Sequence, residues 1–545
     1  MARVQCGRCG AAHSAGMWLP SSVGRDDMRG SSLVRHSLVI AIGIWLGVVG
    51  LALGASPKRG GTLTVVHGVD ISHFDVQSAP GYEVIWINMN IHNSLLTLDK
   101  DLNPAPELAK KWEASPDGLI YTFYLEEGVK FHDGTDFDAE AVQWNFEHLI
   151  DPKARSAVRG FYADVERVEP VDRYTVRFVL KEPNYLFPLV VAGYRYGFVI
   201  SSPTAFKTMS EQEYRMKPVG TGPFKFQEWV PNDHITLVRN EQYWKQGLPY
   251  LDRVVFKVLN DPMTQVTAIR AGEVDMLNSL SPDLVRVLER DRNVTVLSGL
   301  HTTPMVATLQ VTRPPFNDLR VRKAIGCYGT DRYEIAEKAQ LGLAKPLVSM
   351  TGVDVKGYVD LTSLCPYDPE KARALLKEAG YDERNPLRYT ILTNNEKQVF
   401  ANVAALLKEQ YKKLGVETKI EIQDKVTWMT YMVGKNRCQW DQTVEDLASI
   451  LTVHHNSYIS EAGAAFNLSC HEDKKVNELY RQIKLAPTEA ERQQRSEELL
   501  RYMLDNMYWV SVSTSPHFKA LRKHVKDFVY QGELRFALEK VWLDK

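Results

Sequence analysis

Residues 108–149, LAKKWEASPDGLIYTFYLEEGVKFHDGTDFDAEAVQWNFEHL, carry more of the fold than any other stretch of this chain. They read as a helix end, a strand, a glycine turn, a second short strand, an HDG turn and an amphipathic helix. Tyr121, Phe123 and Leu125 alternate as one buried face of a strand does. Glu127-Gly128 supplies a turn, Val129 and Phe131 resume the alternation, and Asp133-Gly134 turns again. Asp138 stands where a helix N-cap belongs, and Ala139, Val142, Phe146 and Leu149 follow at helical spacing.

In this order the motifs resemble the signature region of bacterial extracellular solute-binding proteins of family 5, the oligopeptide and dipeptide receptors of ABC importers. Further phrases continue the resemblance from about residue 59 to the C-terminus. They include the strand opening Gly60-Gly61-Thr62-Leu63, the helix read over 83–98 with its closing SLLTLD, and Pro218-Val219-Gly220-Thr221-Gly222-Pro223-Phe224. Gly272-Glu273-Val274-Asp275 and Pro315-Phe316-Asn317-Asp318-Leu319-Arg320-Val321-Arg322 follow. The resemblance implies an α/β, two-lobed periplasmic binding protein type II fold, with an extra subdomain in the first lobe and a two-strand hinge. The expected boundaries are 56–300 for the first lobe, with the subdomain at about 90–215, 301–513 for the second lobe, and 514–545 returning to the first.

The remaining chain fits an α/β reading. Asp261-Pro262 starts a helix that Gly272 stops. Asp368-Pro369 starts another, with Ala372, Leu375, Leu376 and Ala379 on one face and Gly380 as its stop. A helix over 402–414 ends at Gly415, and Val416, Thr418, Ile420 and Ile422 alternate as a strand. Gly220-Thr221-Gly222 is no phosphate loop: it lacks the third glycine, the following helix and the Lys-Ser/Thr.

At 545 residues the chain is long enough for about three or four ordinary domains. A hydrophobic content of 44% and a charged content of 24% describe a globular core. The formal net charge of -1 excludes the basic footprint that nucleic acid requires. The N-terminal region reads as an export signal. Arg29 and Arg35 precede the apolar run 37–53, and Ala52, Gly54 and Ala55 suit a signal peptidase. The expected signal peptide is therefore 28–55, and the product is periplasmic. No cysteine follows the apolar run for lipid attachment, and no twin arginine precedes it. Residues 1–27 read as a gene-model extension, with translation starting at Met28 or Met17. Their Cys6 and Cys9 form half a zinc pattern with no partner pair. Four cysteines follow the signal segment: Cys327, Cys365, Cys438 and Cys470. The resemblance implies a Cys438–Cys470 bridge, because a comparable loop is often bridged in the family; four free thiols are the alternative.

In peptide receptors of this family an Asp in a Gly-Trp-x-x-Asp phrase takes the ligand's ammonium group. The approach to that phrase matches here: Asp424, Trp428 and Tyr431, then Gln439-Trp440-Asp441. The phrase itself is replaced by QTVEDLASIL, 442–451, which has no Trp and offers only Glu445 and Asp446 as acids. The ligand-binding candidates are Asp441, Trp440, Glu445, Asp446, Trp428, His73, Asn93 and Asn467. Core packing is the alternative for the two tryptophans, and a turn or cap for Asp441. His454-His455 face opposite ways on an extended segment and do not chelate jointly. No metal and no cofactor is expected.

The expected function is capture of a small solute, foremost a short peptide, in an interlobe cleft and delivery to an inner-membrane ABC permease by a monomer. A non-peptide ligand (oligosaccharide, opine-like conjugate or nickel chelate) stays open, as does a sensing module without a transporter. An exported hydrolase is the rival class, but GxSxG and HExxH are absent.

Overall fold

The structure is a computed structural model. It describes residues 56–545 except 79, 80, 155, 193–197, 448–451, 454–456, 458–460, 465, 466 and 531–534. The signal peptide, the Cys6/Cys9 pair and His454-His455 lie outside the described residues.

A seven-stranded sheet forms the first lobe. In spatial order its strands are Val294–Ser298, Phe518–Arg522, Met276–Leu280, Thr62–His67, Arg253–Val258, His234–Arg239 and Phe224–Val230. Both faces are covered, and alternation decides which side chain goes where. Val65 packs with Phe256 and Met276 in the cluster that holds the helix Tyr82–Ile91, whereas Val66 packs with Leu277, Ile269 and Val285.

The quoted region supplies two strands of a separate four-stranded antiparallel sheet, ordered Ala109–Ala114, Ile120–Leu125, Thr175–Leu180 and Val165–Asp172. Tyr121, Phe123 and Leu125 are buried as read, and the helix Ala139–Ile150 is capped by Asp138 accepting from the Ala141 amide at 3.0 Å. Residues 109–114 are a strand and not the helix end expected. They pair with 121–125, and the lysines Lys110 and Lys111 sit exposed on this edge strand.

The helix read over 83–98 ends at Ile91, and Leu96–Leu98 is a strand paired with Pro104–Pro106. The stop is tertiary. Gly222 donates its amide to the Ile91 carbonyl at 2.8 Å. A Cβ on Gly220 would lie 2.3 Å from that oxygen, and one on Gly222 2.5 Å from the Ile91 carbonyl carbon. The two glycines therefore let one backbone dock on the end of the helix.

The second lobe is built on a six-stranded sheet ordered Lys345–Pro346, Ser511–Ser515, Thr303–Leu309, Gln442–Asp446, Arg388–Asn394 and Glu417–Gln423. Pro262–Ala271 and Pro369–Glu378 are helices, and Gly272 and Gly380 follow with φ of 84° and 92°, the left-handed geometry their positions demand. The helix read over 402–414 starts earlier, at Gln398. Two bridges close loops, Cys438–Cys470 and Cys327–Cys365. The second pairing was not legible in the spacing.

Two segments, 299–302 and 516–517, join the two sheets, and the Gly299 amide donates to the His517 carbonyl at 3.0 Å. One link therefore bends with the other. Among the described residues no helix is long and apolar enough to cross a membrane.

Candidate functional site

Strand direction locates the cleft. In the second lobe Arg388–Asn394, Glu417–Gln423 and Gln442–Asp446 run parallel, so Asn394, Gln423 and Asp446 share one edge. Thr303–Leu309 runs antiparallel to Gln442–Asp446, with Met305 opposite Asp446, so its start lies at that edge too, where the chain arrives from the first lobe. In the first lobe His67, Val258, Leu280, Ser298 and Phe518 mark the corresponding edge. The carboxyl ends of the parallel strands of both sheets thus face each other across the two links, where α/β sheets bind ligands.

The second-lobe edge carries charge. The Asp446 carboxylate pairs with Lys397 Nζ at 2.6 Å, and their side chains keep 23% and 39% of their exposure. Lys397 stands just past Asn394, and its neighbour Glu396 pairs with Lys425. Glu445 lies in the same cluster, 6% exposed, with Oε1 lacking a hydrogen-bond partner among the described residues. Burial pushes its carboxyl well above the usual range; Lys425 opposes the shift, and Asp446 and Glu396 add to it. Burial thus favours the uncharged form of Glu445. Trp428, 3% exposed, packs beneath, with Nε1 donating to Thr443 Oγ1 at 3.4 Å and Lys425 Nζ 5.1 Å from its ring centroid.

The first-lobe edge is aromatic and carries a buried lysine. Burial pulls His67 down to about 4, so it is uncharged at neutral pH, and its ring stands edge-on to Trp86 and Phe256. Lys519, fully buried, donates to the Asn278 carbonyl and Oδ1, each at 2.6 Å, and sits 4.5 Å from the Trp86 ring centroid.

The structure brings Glu445, Asp446 and Trp428 together and sets the other candidates apart. Asp441 and Trp440 stand at the opposite edge of the sheet, about 16 Å from Asp446 at about 3.3 Å per residue. The Asp441 carboxylate accepts from Arg313 and from the Thr390 amide, each at 3.0 Å. Trp440 is 5% exposed, as a core ring is. Asn93 is buried in the first lobe, its Nδ2 donating to Glu107 and its Oδ1 accepting from Thr221 and Trp244. Asn467 ties the Cys438–Cys470 loop by donating to the His471 carbonyl at 2.7 Å. His73 accepts from the Asp75 amide at 3.1 Å; burial, then the nearby Arg215 charge, holds its pKa down. It adjoins a first-lobe cavity of about 250 Å³ walled by Trp144, Phe206 and Tyr214. A second cavity, about 260 Å³, lies between Trp112, Tyr185 and Leu189 on one side and Ile483 and Arg492 on the other.

Reading the sequence alone missed Lys397, Glu396, Lys425, His67 and Lys519. The signal for three of them was available: charged residues directly after a strand of a covered sheet stand at the ligand edge.

The model of "Bacterial extracellular solute-binding proteins, family 5 Middle" matches residues 103–460. The chain is 29% identical over 532 residues to the di/tripeptide-binding protein 2 of Pseudomonas aeruginosa, covering 92% of this chain and 97% of that one. It is 29% identical over 383 residues to a glutathione-binding protein of Salmonella paratyphi A, covering 70% and 73%. A solved periplasmic binding protein of Helicobacter pylori, in complex with the peptide STSA, superposes with a TM-score of 0.78 at 25% identity, covering 90% and 99%.

Proposed function

The chain belongs to the bacterial extracellular solute-binding proteins of family 5, and on that premise we propose that its solute is a short peptide, held in the interlobe cleft and handed to an ABC importer permease. Asp446 carries this reading. It is the half-exposed carboxylate that the strand Gln442–Asp446 delivers to the cleft edge, while Asp441 is spent at the far edge and Glu445 is buried, which disfavours its charged form. Asp446 takes the ligand's ammonium, and backbone groups of the exposed strand ends hold the peptide extended. A di/tripeptide-binding relative and a neighbour holding a tetrapeptide support this choice.

Closure follows from the two links. Rotation about 299–302 and 516–517 brings the edges together, and ligand bridging both edges favours the closed form. The lobes extend over 56–300 with 514–545, and 301–513. The protein works as a monomer without catalysis, in the periplasm, after removal of a signal peptide at 28–55.

The test is thermal unfolding of the full chain with pooled di- to pentapeptides, beside sugar and nickel-chelate pools. A peptide at 100 times its Kd adds about 2.7 kcal/mol. The reading expects a shift with peptides that acetylation of their amino termini removes and that Asp446→Asn abolishes. A shift with only a sugar or chelate pool would overturn it.

A further inference from the structure

We propose that the first-lobe cavity is a second ligand site, separate from the interlobe cleft, and that it takes an alkylguanidinium, a flat cation with several N–H donors. The inference does not depend on the peptide reading of the cleft.

The cavity, about 250 Å³, has on one side the loop after the strand Thr62–His67 and the helix Tyr82–Ile91. On the other stand the helices Ala139–Ile150, Pro203–Thr208 and Glu211–Met216. Its lining residues all fall between 74 and 218. The loop is tied from three directions. The Phe74 amide donates to the Arg215 carbonyl at 2.8 Å, Asn88 Nδ2 donates to the Phe74 carbonyl at 2.9 Å, and the Ala157 amide donates to the Gln77 carbonyl at 2.9 Å. The space is therefore preformed, and a ligand need not order the loop to enter it.

Asn88 carries the inference. It is 1% exposed and lines the cavity, and its Oδ1 has no hydrogen-bond partner among the described residues. A buried acceptor left unmet is costly, so an open space beside it marks where a donor belongs. The opposite wall is aromatic: the Phe206 ring centroid lies 4.5 to 5.2 Å from those of Trp144, His148 and Tyr214. Such rings attract flat, delocalised cations. The charges agree in sign. Asp75 Oδ2 lies 3.7 Å from Arg215 Nε, so that acid is matched within the wall. Asp151 and Glu211 make no ion pair among the described residues, and the remaining cation, Lys153, is exposed. Asp151 also follows the helix Ala139–Ile150, whose carbonyl end is the negative end of its dipole. Burial lowers the pKa of His148, and Asp75, Asp151 and Glu211 all oppose it, so their field reaches the aromatic wall. An anion would meet these carboxylates, and a quaternary ammonium would bring no N–H to Asn88. A guanidinium satisfies the rings, the acids and the amide oxygen together.

Calorimetric titration of the full chain with butylguanidinium, beside tetramethylammonium, tests this. Saturable binding of butylguanidinium is expected, about tenfold tighter than that of tetramethylammonium, the worth of one hydrogen bond. The double variant Asp151→Asn, Glu211→Gln should weaken it about tenfold. Asn88→Leu should remove the preference over tetramethylammonium; if that variant does not fold, the double variant decides. Asp446→Asn, in the other lobe, separates the two sites: a loss of binding there would put the cation in the cleft and overturn the proposal. Absence of binding, equal affinity for tetramethylammonium, or an affinity that the double variant leaves unchanged would overturn it as well.

Discussion

Arg332 is 4% exposed and forms no ion pair among the described residues; it donates instead to five backbone carbonyls, those of Leu347, Ser511, Cys327, Thr330 and Gly326. Burial pulls its pKa down to about 10, which still leaves it charged at neutral pH. The hydrogen bonds, and not an ion pair, make this charge tolerable. Arg332→Met should therefore orphan several buried carbonyls at once and lower stability by about 3–5 kcal/mol. Urea unfolding with an unchanged slope checks it; a loss below about 1 kcal/mol would mean that the carbonyls find other donors. No periodicity pointed to Arg332, because its partners are distant in the chain. Glu445 is the counterpart at the cleft: its residue type was visible, but not its burial, which depends on the layers packed around the strand.

Among the elements, the strand Gln442–Asp446 shows how register assigns roles. Gln442 and Val444 face the helix Gln398–Lys412, where Gln442 Oε1 accepts from Tyr389 and Nε2 donates to the Ala307 carbonyl. Thr443 meets Trp428 on the other face. The acids at the two ends of this stretch, Asp441 and Asp446, are alike in sequence and opposite in place. The segment that follows is fastened by the Cys438–Cys470 bridge across a separation of 32 residues. Replacing both cysteines by serine should cost roughly 3–4 kcal/mol on the loop-entropy account. Thermal unfolding of the double variant, beside the parent with and without reductant, is the measurement. An unchanged midpoint would show that the loop is already ordered in the unfolded chain.

Across the whole molecule, a charged seam joins the four-stranded sheet's lobe to the second lobe's helix Lys474–Leu485. Lys484 contacts both Asp164 oxygens at 2.8 Å and also pairs with Glu182, Arg481 pairs with Glu182 at 2.9 Å, and the Tyr185 amide donates to the Lys484 carbonyl at 3.0 Å. Glu461 faces this cluster. Burial pushes its carboxyl up to about 7, with Lys484 opposing and Asp164 adding to the shift. A proton thus binds Glu461 more tightly in the folded chain than in the unfolded one. The stability it confers is complete below the ordinary carboxylate pKa and is lost as pH rises through about 7. Glu461→Gln should then melt about 1–2 °C above the parent at pH 8 and equal it at pH 5, read by calorimetry. A parent that melts higher at pH 8 would show that the attraction of the Lys484 charge outweighs the burial.

The sequence by itself determined the family, the two-lobed α/β architecture and most element limits, because these follow from local signals: alternation at 120–125, the Asp138 cap, and glycine stops at 272 and 380. What only the tertiary structure decided was anything set by distant partners. The first helix ends at Ile91 because Gly220 and Gly222 dock there, Cys327 meets Cys365, and of three acids in six residues Asp441 stands at the far edge, Glu445 is buried and Asp446 stands half-exposed beside Lys397. Local pattern records which residues lie along a strand, whereas the edge they occupy, and the charges that meet them, depend on which strands pair beside it.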